Sequence, residues 1–264
     1  FSDGSFAKQL HPGWAAHSGI IASYLASEGF TGPATVLEGR YGLFATHLGP
    51  GSYSMDRVVQ KLGTEWICTK TSFKPYPCGH VVHPFLDAIL SLYKDEGLRA
   101  DDVVRITCPI AEWMLPIMCE PREVKLVPET DYHAKFSFPY TVAAALYFGR
   151  LGVEAFTDEA IRNQDILALA RRVVNEVDPT APDPSRFKGW VIVETKSGKR
   201  FERVVENNWG SESNPLSATD VRQKFRDNAR LVLDDKKIEQ VLSMTDRLEE
   251  VRDINEVVAL CVKS

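Results

Sequence analysis

A chain of 264 residues with 44% apolar and 25% charged side chains can bury one large core or two smaller ones, and it is too apolar to be disordered. Its net charge of -5 excludes a general nucleic-acid surface, which needs clustered Lys and Arg against the phosphates. Five cysteines, an odd number with no Cys-x-x-Cys pair, argue against a disulfide framework or zinc cluster and for reduced thiols. No apolar run approaches the roughly 20 residues that span a bilayer, and the N-terminal residues lack the basic-then-apolar order of a signal peptide. A soluble protein of the cytoplasm, or of the mitochondrial matrix in a eukaryote, is therefore expected. The start at Phe1, directly before the first candidate site, suggests a piece of a longer chain.

In chain order, WAAHSGIIASYLASEG is apolar or small on nearly every side and predicts a buried helix ended by Gly29. Short helices are expected over residues 34–38, 41–47 and 55–62, then a strand over 65–73 and a rigid loop, KPYPCGH. An amphipathic helix over 84–93 and a strand over 102–108 follow. Residues 138–148 read as an alanine-rich helix and 159–173 as one or two more. Residues 190–194 and 200–205 flank Thr195-Lys196-Ser197-Gly198-Lys199 as a hairpin. Beyond the polar stretch NNWGSESNPLS, helices are expected over 218–231, capped by Ser217, and over 235–248 and 254–260. The fold class read from this order is α+β, mainly α: an inserted α+β domain over residues 65–206, with the flanks 1–64 and 207–264 belonging to one helical domain.

The dipeptide His-Pro occurs twice, at His11-Pro12 and His83-Pro84, each within ten residues of a preceding lysine, Lys8 or Lys74. Proline suits the first position of a helix, so each histidine is expected at a helix N-terminus. Free N–H groups there attract carboxylate or phosphate and disfavour imidazolium, leaving a neutral base beside an anion site. The chemistry suggested is proton removal from an anionic substrate.

Four blocks carry a resemblance. AKQLHPGWAAHSGIIASYLASEGFTGPATVLEG, FKPYPCGHVVHP, AKFSFPYTVAAAL and NPLSATDVRQKFRDNA, in this order, resemble the MmgE/PrpD family, which includes 2-methylcitrate dehydratase and cis-aconitate decarboxylase. The resemblance spans nearly the whole chain but only the C-terminal part of such a protein. It implies a helical domain with an α+β lid, a homodimer, and cofactor-independent chemistry on small polycarboxylates: loss of water, decarboxylation, or proton exchange beside a carboxylate. Lys8, Lys74 and Lys135 resemble the family's basic pocket residues, and Trp113 lies near an aromatic that shapes the pocket.

Lys74 is the strongest single candidate, since Pro75 and Pro77 stiffen its loop and lower the entropy cost of holding a ligand. His80, His83 and His11 are candidate acids or bases, with Asp87 one turn beyond His83 to orient or charge an imidazole. The bland alternatives are a solvated Lys8, a capping His11, a Lys135 that snorkels from a helix start and a Trp113 that only packs. Arg222, Lys224 and Arg226 read as a solvated helix face. One departure matters: cis-aconitate decarboxylases carry a histidine where this chain has Gly79, which disfavours decarboxylation. The resulting expectation is a dehydratase of a polycarboxylate such as 2-methylcitrate, with no metal and no cofactor. The alternatives are an epimerase or decarboxylase, a catalytically inert metabolite-binding or structural member, or a metal-dependent hydrolase built on His80, His83 and Asp87.

Overall fold

The computed structural model describes residue 5 and residues 7–181 and 187–262. The chain divides between Thr71 and Ser72 into two compact units.

The first unit is led by α1 (Ala7–Ser27). Gly29, at φ 86°, ends it: Phe30 N–H reaches back to the Leu25 carbonyl at 2.9 Å, a closure that only a left-handed residue permits without strain. Two expectations fail here. The helix begins at Ala7, so Pro12 lies inside it and His11 is its fifth residue, away from the free N–H groups of the first turn. The good helix formers of AKQL extend the helix one turn upstream of the proline. Nor is α1 buried: none of its described residues is, and Trp14 and Tyr24 are 63% and 70% exposed. Its own unit supplies no second layer to cover an all-round apolar helix.

Short helices α2 (Leu43–Leu48) and α3 (Met55–Val59) follow, while residues 34–38 are turns. The strand expected over 65–73 is replaced by a single 3₁₀ turn, Ile67–Lys70, with Trp66 and Ile67 exposed. A strand needs a neighbour for its N–H and C=O groups, and this unit contains no strand among its described residues.

The second unit is built on a four-stranded sheet of order β2-β1-β3-β4. Its strands are β1 (Val103–Ile110), β2 (Val173–Val177), β3 (Gly189–Thr195) and β4 (Arg200–Val205). The hairpin β3–β4 is antiparallel as its turn predicts; β1 pairs antiparallel with β3 and parallel with β2. Strand β2 is not expected from the sequence. It is a five-residue edge strand whose Asn175 and Glu176 interrupt any apolar alternation.

Helix α4 (His83–Asp95) packs on β3 and β4 and buries Phe85, Leu86, Ile89 and Leu92. Each such side chain contributes about 1.5–3 kcal/mol. Between β1 and β2 lie α5 (Arg122–Leu126), α6 (Asp131–Ala134), α7 (Phe138–Phe148), α8 (Asp158–Ile161) and α9 (Gln164–Ala170). Helix α7 is apolar on all sides because it runs through the core, packed on both α4 and α9. The chain closes with α10 (Ala218–Ala229), α11 (Asp235–Thr245) and α12 (Ile254–Leu260). Ser217 caps α10 as expected, in a reciprocal box with Asp220. A helix-rich unit with one small sheet agrees with an α+β, mainly α, class. No helix of the described residues is long and apolar enough to cross a membrane.

Strand β3 approaches α4 so closely at Gly189 that a Cβ there would lie 2.3 Å from the Pro84 carbonyl carbon and 2.6 Å from the Phe85 nitrogen. Backbone atoms at the start of a buried helix cannot yield. Gly189→Ala is therefore expected to cost at least about 2 kcal/mol, read as a lower urea midpoint at unchanged slope.

Candidate functional site

The site is built around the loop of residues 73–80, which four other segments hold. At one end Phe73 N–H donates to the Gly210 carbonyl at 2.9 Å; at the other Gly79 N–H donates to the Lys135 carbonyl at 2.9 Å. Between them Tyr76 Oη donates to Asp87 Oδ1 of α4 at 2.6 Å, and Trp209 N–H donates to Asp87 Oδ2 at 2.7 Å. Lys224, on α10, donates through Nζ to the Lys74 carbonyl oxygen.

Asp87 thus does not serve an imidazole, as its spacing from His83 suggests. Both its oxygens are taken by loop and strand-exit groups. Burial raises its pKa, and the bonds from Tyr76 and Trp209 oppose that rise.

His83 sits at the start of α4 with Pro84 beside it, as expected, but it is fully buried. Its ring stands edge-on to Tyr76 at 5.2 Å and to His80 at 4.9 Å between centroids. Neither ring nitrogen makes a hydrogen bond of normal geometry. Burial, then the nearby His80 and Lys74, drive its pKa down to about 3, and the Cys78 carbonyl only partly opposes them. His80, half-buried, is also shifted down, first by burial and then by Lys74. Both imidazoles are neutral near pH 7. His80 also stands edge-on to Phe187 at 5.1 Å, which in turn lies 6.2 Å from the Trp113 ring.

Lys74 is exposed at the loop's entrance, its Nζ 3.4 Å from the Cys78 carbonyl. Lys135 contributes its backbone to the loop, while its Nζ pairs with Asp131 at 2.8 Å. The structure thus gathers Lys74, His80, His83 and Lys135 round one loop, with Trp113 one ring beyond His80. Lys8 and His11 lie on α1, in the first unit. Sequence reading missed Asn208, Trp209 and Lys224. Lys224 is half-buried, with its pKa lowered by burial, so the solvated face expected for α10 is corrected at this residue. No sequence signal links it to a loop 150 residues away. Among the described residues no group of three or more His, Cys, Asp or Glu is arranged to hold a metal ion.

Residues 76–250 match the MmgE/PrpD C-terminal domain, and residues 2–56 match the MmgE/PrpD N-terminal domain. The chain belongs to the MmgE/PrpD family. Among curated relatives, cis-aconitate decarboxylase of Mus musculus is 27% identical over 93% of this chain and 50% of its own length. That of Homo sapiens is 27% identical over 96% and 52%. Cis-aconitate decarboxylase-like protein oryM of Aspergillus oryzae is 25% identical over 96% and 54%. The chain spans about half the length of these relatives. Within the MmgE/PrpD C-terminal match fall Tyr76, His80, His83, Asp87, Asn208 and Lys224; the N-terminal match holds Lys8 and His11.

A buried neutral histidine makes folding pH-dependent. The folded pKa of His83 lies below the unfolded value of 6.5, so between about pH 6.5 and 3 the unfolded state binds the extra proton and stability falls as pH falls. Between pH 7 and 5 this one group is expected to remove about 2 kcal/mol, an upper bound if local opening admits water. Urea unfolding at the two pH values measures it. His83→Phe, which keeps a ring in the site, should lose that part of the acid sensitivity; an unchanged dependence would show that His83 is not the titrating group.

Proposed function

We propose that the protein is a cofactor-independent lyase for a small polycarboxylate, removing a proton beside a carboxylate with loss of water. The observation that carries this reading is the gathering round one loop of Lys74 and two imidazoles, His80 and His83, that burial and the lysine shift towards their neutral forms. Such a site attracts anions and stabilises the charge that builds up as a proton leaves carbon. The names of the curated relatives support a tricarboxylate as substrate class.

In this reading Lys74 binds a substrate carboxylate directly, with Lys8 and Lys135 as further carboxylate contacts and Trp113 shaping the pocket wall. His80 faces the substrate, and His83, fully buried, backs its ring. His11 is a further acid or base candidate. The division into a helical body, 1–64 and 207–264, with 65–206 as lid, and assembly as a homodimer, are parts of the same proposal.

A second reading is decarboxylation, favoured by the relatives' names. Gly79 argues against it. The resemblance puts a decarboxylase histidine at this position, and here a Cβ would lie 2.9 Å from Met118 Cε and 3.0 Å from its Sδ. In this chain the flexible end of Met118 occupies that space, and no imidazole stands there.

Proton NMR of the complete gene product in D2O with 2-methylcitrate, citrate and cis-aconitate separates the readings. Loss of water or deuterium exchange is expected, and Lys74→Ala should slow it by about 100-fold or more. Carbon dioxide release from cis-aconitate would install the second reading instead. Neither turnover nor exchange with any of the acids would overturn both.

A further inference from the structure

Asn208 is almost fully buried at the exit of the sheet, 4% exposed, and its amide touches two groups of different kind. Its Nδ2 lies 2.9 Å from the Trp209 carbonyl oxygen and 3.3 Å from His80 Nε2. A carbonyl oxygen only accepts, so the amide must turn its NH2, not its oxygen, towards Trp209. The same nitrogen carries a second hydrogen, and facing Nε2 that hydrogen needs a lone pair. A proton on Nε2 would set two donors against each other. The unprotonated atom of the ring is therefore Nε2, and the proton of the neutral imidazole resides on Nδ1.

The arrangement is held from behind. Trp209 N–H is anchored on Asp87 at 2.7 Å, which fixes the peptide joining Asn208 to Trp209. The imidazole is held from two sides by rings, His83 at 4.9 Å and Phe187 at 5.1 Å. Among the described residues Nδ1 makes no hydrogen bond, which leaves its N–H for a ligand.

We propose that Asn208 is a positioning residue that fixes His80 in the Nδ1–H tautomer, so that His80 meets a substrate oxygen as a neutral hydrogen-bond donor. The tautomer itself stands on the geometry alone; its use on a substrate oxygen rests on the lyase reading above. It follows that His80 polarises the carboxylate or departing hydroxyl, and that the proton on carbon is taken by another group.

Long-range 1H–15N correlation spectra of the complete gene product, labelled with 15N-histidine and without substrate, read the tautomer directly. His80→Gln identifies the signals. Wild type is expected to show a protonated Nδ1 and a bare Nε2. Asn208→Asp, whose carboxylate accepts where the amide donates, should move the proton to Nε2, and Asn208→Ala should lose the wild-type pattern. A proton on Nε2 in the wild type overturns the proposal even if neither variant folds. So does a pattern unchanged in a folded Asn208→Asp. With an acid that is turned over, Asn208→Asp should lower kcat by about tenfold or more and change KM by less; equal kcat in a variant with the reversed tautomer would overturn the donor role. Failure of every acid to react would strike the lyase reading and leave the spectroscopic result standing.

Discussion

The Asp87 carboxylate receives two hydrogen bonds from chain segments far apart in sequence, one from the Tyr76 hydroxyl and one from the Trp209 backbone. Asp87 rises from a helix whose opposite face is locked into the core by Phe85, Leu86 and Ile89, so it is a fixed point. Bonds to an ionised acceptor are about twice as strong as neutral ones, and here they act where water has little access. Remove that acceptor and the loop bearing Lys74 and His80 loses its attachment to the helix. The segment carrying Asn208 loses it too. The loop keeps its backbone bonds to Gly210 and Lys135, so what this carboxylate supplies is the tie of both segments to one helix.

Its role is one of attachment. Asp87 is not among the groups that shift either imidazole; burial comes first for both, followed by Lys74 for His80, and by His80 and then Lys74 for His83. Together these push both histidines towards neutrality. A cation beside two uncharged rings favours an anion. The carboxylate therefore fixes the geometry of a loop round which both imidazoles are shifted towards neutrality.

Elements whose signals are local were legible in the sequence. The β3–β4 turn, the Ser217 cap and Pro84 at the start of α4 each depend on a few adjacent residues, and each is found where expected. The positions of Lys74, His80 and His83 on one loop and helix start were legible for the same reason. What escaped the sequence depends on partners. The strand expected over 65–73 has apolar residues but no neighbour; β2 has a neighbour but little apolar pattern. Asp87, one turn from His83, looked like its partner, and only the folded chain shows Tyr76 and Trp209 arriving first. Lys224 on a charged helix reads as solvated because nothing nearby in sequence marks the carbonyl it meets.

That last contact spans 150 residues, from Lys74 on the loop to Lys224 on α10. Closing so long a loop carries an entropy cost that must be met before the contact gives anything back, which places such pairings late in folding. During synthesis the loop and α4 leave the ribosome well before Asn208, Trp209 and Lys224 exist. The candidate site therefore cannot be completed until the segment after β4 and helix α10 have both been made.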